Sequence, residues 1–202
     1  ADTFSRDGKF DGWDPMLLLG QDISSKTLGV VGTGRIGTAM AQMSKGFNMN
    51  ILYVNHQKNN IIENKLNAKK TTLPDLLKRS DIISLHVPLT DENKHLIGKK
   101  EFSSMKETAI LINTSRGPVI DEHALINALK NNMIFGAGLD VYEDEPKIPT
   151  ELKKMNNVVL LPHIGSATKE ARTNMALRAA KNLIAGLNGE KPPHCVNPEV
   201  FD

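Results

Sequence analysis

Three glycines spaced as Gly32-Thr-Gly34-Arg-Ile-Gly37 follow directly on the apolar run Leu28-Gly-Val-Val31 and precede Ala39-Met-Ala41. By itself a G-x-G-x-x-G is a weak signal, because glycines also mark ordinary turns. Between a strand and a helix its members acquire separate tasks. Gly32 permits the tight turn, Gly34 lets the backbone approach a pyrophosphate, and Gly37 lets helix and strand pack closely. The amides of Arg35 and Ile36 would then point at the phosphates, with the helix N-terminus adding partial positive charge.

The rest of the chain alternates in the manner this motif requires. Short β-rich runs occur at Thr27–Gly32, Asn50–Val54, Asp81–Val87, Ala109–Asn113, Phe135–Asp140 and Asn157–Leu161. Several are continuously apolar, as expected of strands covered on both faces. Helical patterns fall between and after them at Ile36–Phe47, Leu73–Ser80, Asp121–Asn131 and Thr168–Leu187. Asp121 is a candidate N-cap, and Thr168, Ala171, Met175, Ala179 and Leu183 lie at helical spacing. Strand and helix in this order predict an α/β fold, a doubly wound parallel sheet with right-handed crossovers.

Composition narrows the function classes. The 202 residues are 40% hydrophobic and 24% charged, ordinary globular values. A net charge of +2, with lysines in scattered pairs such as Lys99-Lys100, gives no footing for nucleic-acid binding. No apolar run approaches the roughly 20 residues that span a bilayer, and no basic-then-apolar leader opens the chain. Cys195 is the single cysteine, so neither an internal disulfide nor a multi-cysteine metal site is expected. His95, His123 and His194 show no ligand spacing, and no metal is implied. A soluble cytoplasmic protein is the expectation.

The end of the second strand bears on the choice of dinucleotide. An acidic residue there would bind the adenosine ribose hydroxyls of NAD, but the segment reads Val54-Asn55-His56-Gln-Lys58. Nothing in it repels a 2′-phosphate, and His56 and Lys58 could attract one. The reading is NAD(P)H with a lean to NADP(H); the alternative is that Asn55 binds the ribose as an amide and NAD is used.

Five ordered runs carry a family resemblance: the glycine fingerprint, His86-Val-Pro-Leu-Thr90, Asn113-Thr-Ser-Arg-Gly117, Gly138-Leu-Asp-Val-Tyr-Glu-Asp-Glu-Pro146 and Pro162-His-Ile-Gly-Ser-Ala-Thr168. Together they resemble the D-2-hydroxyacid dehydrogenases over roughly Ile23 to Val196. Gly12-Trp-Asp-Pro-Met-Leu-Leu-Leu-Gly20 is most similar to the glyoxylate/hydroxypyruvate reductase branch. The resemblance implies hydride transfer between a nicotinamide cofactor and a small 2-keto or D-2-hydroxy acid.

Reducing a 2-keto acid needs a hydride donor, a proton donor for the nascent alkoxide and a cation for the carboxylate. Arg116, just past a buried strand, offers a guanidinium in fork geometry for the carboxylate or carbonyl. His163 follows Pro162 at a strand end. An imidazole titrates near neutrality, suiting a group that gives a proton one way and takes it the other. A Glu145 carboxylate against that ring would orient it and help it hold its proton. The family's matching positions have these roles.

Asp140, at a strand end, could accept a hydrogen bond from the nicotinamide carboxamide, as the family's matching Asp does. Thr114, Ser115 and the segment Ile164-Gly165-Ser166 resemble further cofactor contacts. His86 and Val87 mark the strand end beside the nicotinamide ribose.

Family members build their substrate domain mainly from an N-terminal segment, with the chain's end returning to it. The expected organisation is therefore a lead-in helix and dimer-arm segment over 1–22, a dinucleotide-binding domain over 23–188, and a returning tail over 189–202. The substrate domain is expected to be largely missing from this chain, which would bind dinucleotide but be poorly active alone. Phe10–Gly20, with Trp13 and Met16, reads either as core or as an arm reaching a partner subunit in a homodimer. Competing readings are a non-enzymatic NAD(H)-sensing corepressor relative and a phosphite-type dehydrogenase. Glu145 speaks against a formate dehydrogenase, where the matching residue is an amide.

Overall fold

A computed structural model describes residues 1–201 and divides the chain into two compact units, Ala1–Leu160 and Leu161–Asp202. The first unit opens with a short exposed helix, α1 (Asp2–Arg6), followed by a long irregular stretch. Trp13 is 84% exposed, and Phe10, Met16, Leu18 and Leu19 are also open to solvent, so Phe10–Gly20 is not core. This corrects one of its two sequence readings.

Then come β1 (Thr27–Val31), α2 (Arg35–Met43), β2 (Asn50–Val54), α3 (Asn60–Leu66), β3 (Lys69–Lys70), α4 (Leu73–Arg79) and β4 (Ile82–Leu85). The second half of the unit comprises α5 (Lys99–Phe102), β5 (Ile110–Asn113), α6 (Glu122–Lys130), β6 (Gly136–Leu139), α7 (Thr150–Lys153) and β7 (Val158–Leu160). All strands pair in parallel, in the order β3-β2-β1-β4-β5-β6-β7. The order reverses between β1 and β4, and such a reversal opens a crevice beyond the strands' carboxyl ends.

Both faces of the central strands are buried, as their apolar runs require. Leu28, Val30, Ile51 and Tyr53 enter one core cluster with Ala41 and Ile62. Their neighbours Val31 and Leu52 enter the other with Leu76, Leu85, Phe102 and Leu125. Strand side chains alternate between faces, so one apolar run fills two cores.

The expected helix Ile36–Phe47 is α-helical only to Met43 and tightens into a 3-10 turn over Ser44–Phe47. Ser44 Oγ bonds back to the Ala41 carbonyl at 2.8 Å, Gly46 favours irregular backbone, and Asn48 closes the segment in the left-handed region at φ 53°. Asp121 caps α6 through the Ala124 amide at 2.9 Å, as its sequence position predicts.

The second unit contains α8 (Lys169–Leu187), capped by Thr168 through the Ala171 amide at 3.0 Å. Its apolar residues at helical spacing are largely solvent-facing: Met175, Leu183, Ile184 and Leu187 are exposed. Among the described residues no helix is long and apolar enough to cross a membrane.

Candidate dinucleotide site at the switch point

The glycine fingerprint occupies the crevice at the reversal. Gly32 has φ +88°, and its amide bonds the Val54 carbonyl at 2.9 Å. A Cβ on Gly32 would stand 2.8 Å from the His86 carbonyl oxygen, and one on Gly37 would collide with the Gly32 carbonyl. These two glycines are thus required by the protein's own packing. Gly34 differs: a Cβ there would meet nothing within 4 Å. Its small size is useful only to something approaching from outside.

The N-terminus of α2 is equipped for an anion. Gly34 is its N-cap, no side chain caps the helix, and its first turn holds no acidic residue. Thr38 N–H bonds the Gly34 carbonyl at 2.9 Å, leaving the amides of Arg35, Ile36 and Gly37 with no acceptor inside the helix. Thr33 Oγ1, within the loop, is buried without a hydrogen-bond partner. Free amides, an unsatisfied hydroxyl and an open approach at Gly34 fit a pyrophosphate.

Asn59 holds this loop from behind. Its Nδ2 donates to the Thr33 carbonyl at 3.0 Å and to Thr38 Oγ1 at 2.8 Å, while its Oδ1 caps α3 through Ile61 N–H at 3.1 Å. Tyr53 Oη accepts the Asn59 amide at 2.9 Å and donates to Glu63 at 2.6 Å. Burial pushes the Tyr53 phenol up, and the bond to Glu63 adds to this, so it remains a donor. One network therefore joins the glycine-rich loop to the β2–α3 loop. In the latter, Asn55 is half-buried and donates to the Gln57 carbonyl at 3.1 Å, and His56 and Lys58 are exposed. Lys70 Nζ reaches the His56 carbonyl at 2.8 Å.

Two adjoining hollows open here. One, of about 450 Å³, is lined by Gly32, Gly34, Asn55, His56, His86 and Val87. The other, of about 530 Å³, brings Gly34, Arg35 and Ile36 together with His86, Val87, Thr114, Ser115 and Arg116. Lys58, Asp140 and Glu145 line neither. A larger hollow of about 710 Å³ lies at the strands' amino ends, among Ile110, Phe135, Ala137 and Val159, away from every candidate residue.

Arg116 is exposed, and its Nη1 donates to the Ser115 carbonyl at 2.6 Å. The loop carrying it is shaped by buried Asn113, which sequence reasoning did not single out. Asn113 Oδ1 accepts from Ser115 N–H at 3.0 Å and Ser115 Oγ at 2.8 Å, and its Nδ2 donates to the Arg116 carbonyl at 3.0 Å. His86 shares a 2.9 Å hydrogen bond with Ser84 Oγ, and burial lowers its pKa, favouring the neutral ring.

Asp140 is buried at the end of β6, its amide bonded to the Asn113 carbonyl at 3.0 Å. Glu145 is exposed and accepts the Tyr142 amide at 3.1 Å through Oε1. His163, Gly165 and Ser166 belong to the second unit and are exposed in the segment before α8. His163 has φ 53°, a left-handed conformation that residues other than glycine seldom adopt and that is often kept at functional positions. No cluster of three or more His, Cys, Asp or Glu among the described residues could hold a metal ion.

Residues 1–165 match the family described as D-isomer specific 2-hydroxyacid dehydrogenase, NAD binding domain. The chain belongs to this family. It is 54% identical to a glyoxylate reductase of Thermococcus litoralis over 205 aligned positions, which cover the whole chain and 62% of that relative. Among solved structures, a protein of Thermus thermophilus superposes with a TM-score of 0.90 at 42% identity, over 96% of this chain and 61% of that one. A glyoxylate reductase of Paecilomyes thermophila gives a TM-score of 0.84 at 38% identity, over 94% and 57%. The chain thus spans about 60% of the length of these relatives.

Proposed function

We propose that this chain is the dinucleotide-binding portion of an oxidoreductase that reduces a small 2-keto acid, with glyoxylate the leading substrate and D-2-hydroxy acids as products. One observation carries the reading. The uncapped start of α2 and Arg116 line one hollow, so a helix N-terminus open to an anion and a cationic residue address the same crevice.

The nicotinamide ring, when bound, supplies the hydride. Amides of Arg35 and Ile36 bind the pyrophosphate, and Gly32, Gly34 and Gly37 shape its approach. Asp140, Thr114, Ser115, Val87, Gly165 and Ser166 are assigned to the nicotinamide end, and Asn55, His56 and Lys58 to the adenosine ribose. Neutral His86 lends shape there rather than charge. Arg116 spends one N–H on the Ser115 carbonyl and keeps others to hold a carboxylate or polarise a carbonyl. His163 donates the proton that the new hydroxyl needs, and Glu145 orients its ring.

For the cofactor, Asn55 favours NADP(H), since it brings no negative charge to the 2′ position. For assembly, exposed Trp13, Phe10 and Met16 favour a homodimer through the cofactor domain. A single monomer mass in light scattering at micromolar concentration would remove that assignment.

The deciding experiment is a panel of 2-keto acids assayed with NADH and NADPH on the full-length gene product. Glyoxylate reduction, abolished in Arg116→Ala and His163→Ala, is expected. Cofactor binding without turnover of any 2-keto acid would overturn the enzymatic reading.

A further inference from the structure

Three loops at the carboxyl edge of the sheet carry or flank the proposed catalytic groups: β4–α5, β5–α6 with Arg116, and β6–α7 with Glu145. Away from these groups, the same loops are bound to each other. His95 Nε2 and Glu143 Oε1 stand 2.6 Å apart, joining the first loop to the third. The other Glu143 oxygen accepts the Glu122 amide at 3.3 Å, and Glu122 Oε1 accepts the Glu143 amide at 3.4 Å. The first turn of α6 and the third loop are thus held by a reciprocal pair. Backbone bonds complete the triangle: His95 N–H to Pro118 O at 2.8 Å, Ile97 N–H to Val119 O at 3.1 Å, and Asp121 N–H to Ile97 O at 3.0 Å.

The arrangement is tight and electrostatically demanding. A Cβ on Gly117, the residue after Arg116, would collide with the Tyr142 carbonyl, so these two loops touch backbone to backbone. His95 is held at φ 53°, in the left-handed region that few residues other than glycine occupy. The reciprocal bonds bring the Glu122 and Glu143 carboxylates into one region, with Asp144 adding further negative charge and His123 partly offsetting it. Burial, and then the Glu143 charge, pushes the Glu122 carboxyl up even though the Glu143 amide bond works the other way. Glu143 stands two residues from Glu145, and Tyr142 between β6 and Glu143 supplies the amide that holds the Glu145 carboxylate.

We infer that His95, Glu143 and Glu122 form a clasp that sets the positions of Arg116 and Glu145, making them positioning residues for turnover rather than groups that touch substrate. The inference rests on the proposed reading that Arg116 and Glu145 serve keto-acid reduction. It separates two properties of the protein. The glycine fingerprint, which takes the pyrophosphate, lies on β1 and α2, outside the clasp, so loosening the clasp lowers turnover by a larger factor than dinucleotide affinity.

The test uses His95→Ala, His95→Gln, Glu143→Gln and Glu143→Ala in the full-length protein, with Glu145→Gln as reference. Expected for His95→Ala and Glu143→Ala is a loss of kcat of about tenfold or more, with a rise in dinucleotide Kd at least threefold smaller than that loss. His95→Gln, which keeps an N–H for Glu143, restores activity to within about threefold. In Glu143→Ala the pH at which reduction falls off moves downward, in the same direction as in Glu145→Gln, and the double variant moves no further. An unmoved pH limb, or losses shared equally by cofactor affinity and turnover, would overturn the clasp. Should the wild-type protein reduce no 2-keto acid, the parent reading falls, and hydrogen exchange judges the clasp alone. Amides of residues 117–121 and 141–145 must then exchange at least tenfold faster in Glu143→Ala, and unchanged exchange refutes it.

Discussion

Gly34 and Gly37 are three residues apart in one motif, yet they respond to different partners, and alanine at each should separate binding from stability. At Gly34, φ is −66° and ψ −160°, a conformation open to alanine, and the added Cβ meets no protein atom within 4 Å. Removing a glycine from the unfolded chain stabilises by about 0.4–1 kcal/mol. An alanine N-cap is worse than a glycine one by a similar amount, roughly 0.5–1 kcal/mol. The two effects offset, so the melting temperature should move by no more than about 2 °C. Binding should suffer instead. A methyl group in the approach to Arg35 and Ile36 displaces a charge-assisted hydrogen bond worth about 1.5–3 kcal/mol, which is roughly a 10- to 150-fold rise in dinucleotide Kd. Gly37→Ala puts its methyl into the Gly32 carbonyl, which cannot swing aside as a side chain can. Overpacking of that kind costs about 1–3 kcal/mol and lowers the melting temperature by several degrees. Calorimetric titration with NADH and NADPH, paired with thermal melts, reads both quantities. A Gly34→Ala protein that binds within twofold of wild type, or melts as early as Gly37→Ala, would refute the reasoning.

Two further substitutions probe the rest of the crevice. Asn55→Asp places a carboxylate where a 2′-phosphate would sit, so the NADPH-to-NADH ratio of kcat/KM should fall at least tenfold; an unmoved ratio would take residue 55 out of cofactor choice. Burial holds the His86 pKa below its ordinary value near 6.5, so its contribution is intact above that pH and is lost as pH falls through the lower folded-state value. His86→Gln should therefore flatten the decline in melting temperature on the acid side of pH 6.5, and an equally steep decline in the variant would assign it to other groups.

What could be read from the sequence follows from how local each signal is. The β1–α2 junction was legible because turn, approach and packing demands coincide on three glycines. The six longer strands were legible because burial on both faces leaves continuous apolar runs. β3 is two lysines long and carries no such run, and α3 hides in polar sequence, Asn60-Ile-Ile-Glu-Asn-Lys-Leu66, with Ile62 alone buried. The stripe on α8 was visible as a spacing, but spacing does not say whether anything covers it. At the site, Arg116 is legible from its place just past a buried strand, and Thr114 and Ser115 through the family resemblance alone. Asn59, Asn113 and Thr33 did not, because an amide bonded to loop backbone leaves no periodicity.

Those unannounced residues point to a shared device. Loops at the carboxyl edge of a parallel sheet must present groups with little freedom, since errors of about an ångström in placement are costly to catalysis. Here each is stiffened by a polar side chain that turns back onto nearby backbone: Asn59 on the phosphate loop, Asn113 on residues 115–116, Glu145 on Tyr142, and Glu143 on α6. Asn59 and Asn113 lie at least partly behind the surface while Arg116 faces solvent, so in the β2–α3 and β5–α6 loops rigidity and chemistry are supplied by different residues. An asparagine suits this role better than a carboxylate, because it donates and accepts without charging the crevice that must receive a dinucleotide's phosphates. In the third loop, which carries no part of the glycine fingerprint, glutamates do this work, and His95 Nε2 stands 2.6 Å from Glu143 Oε1.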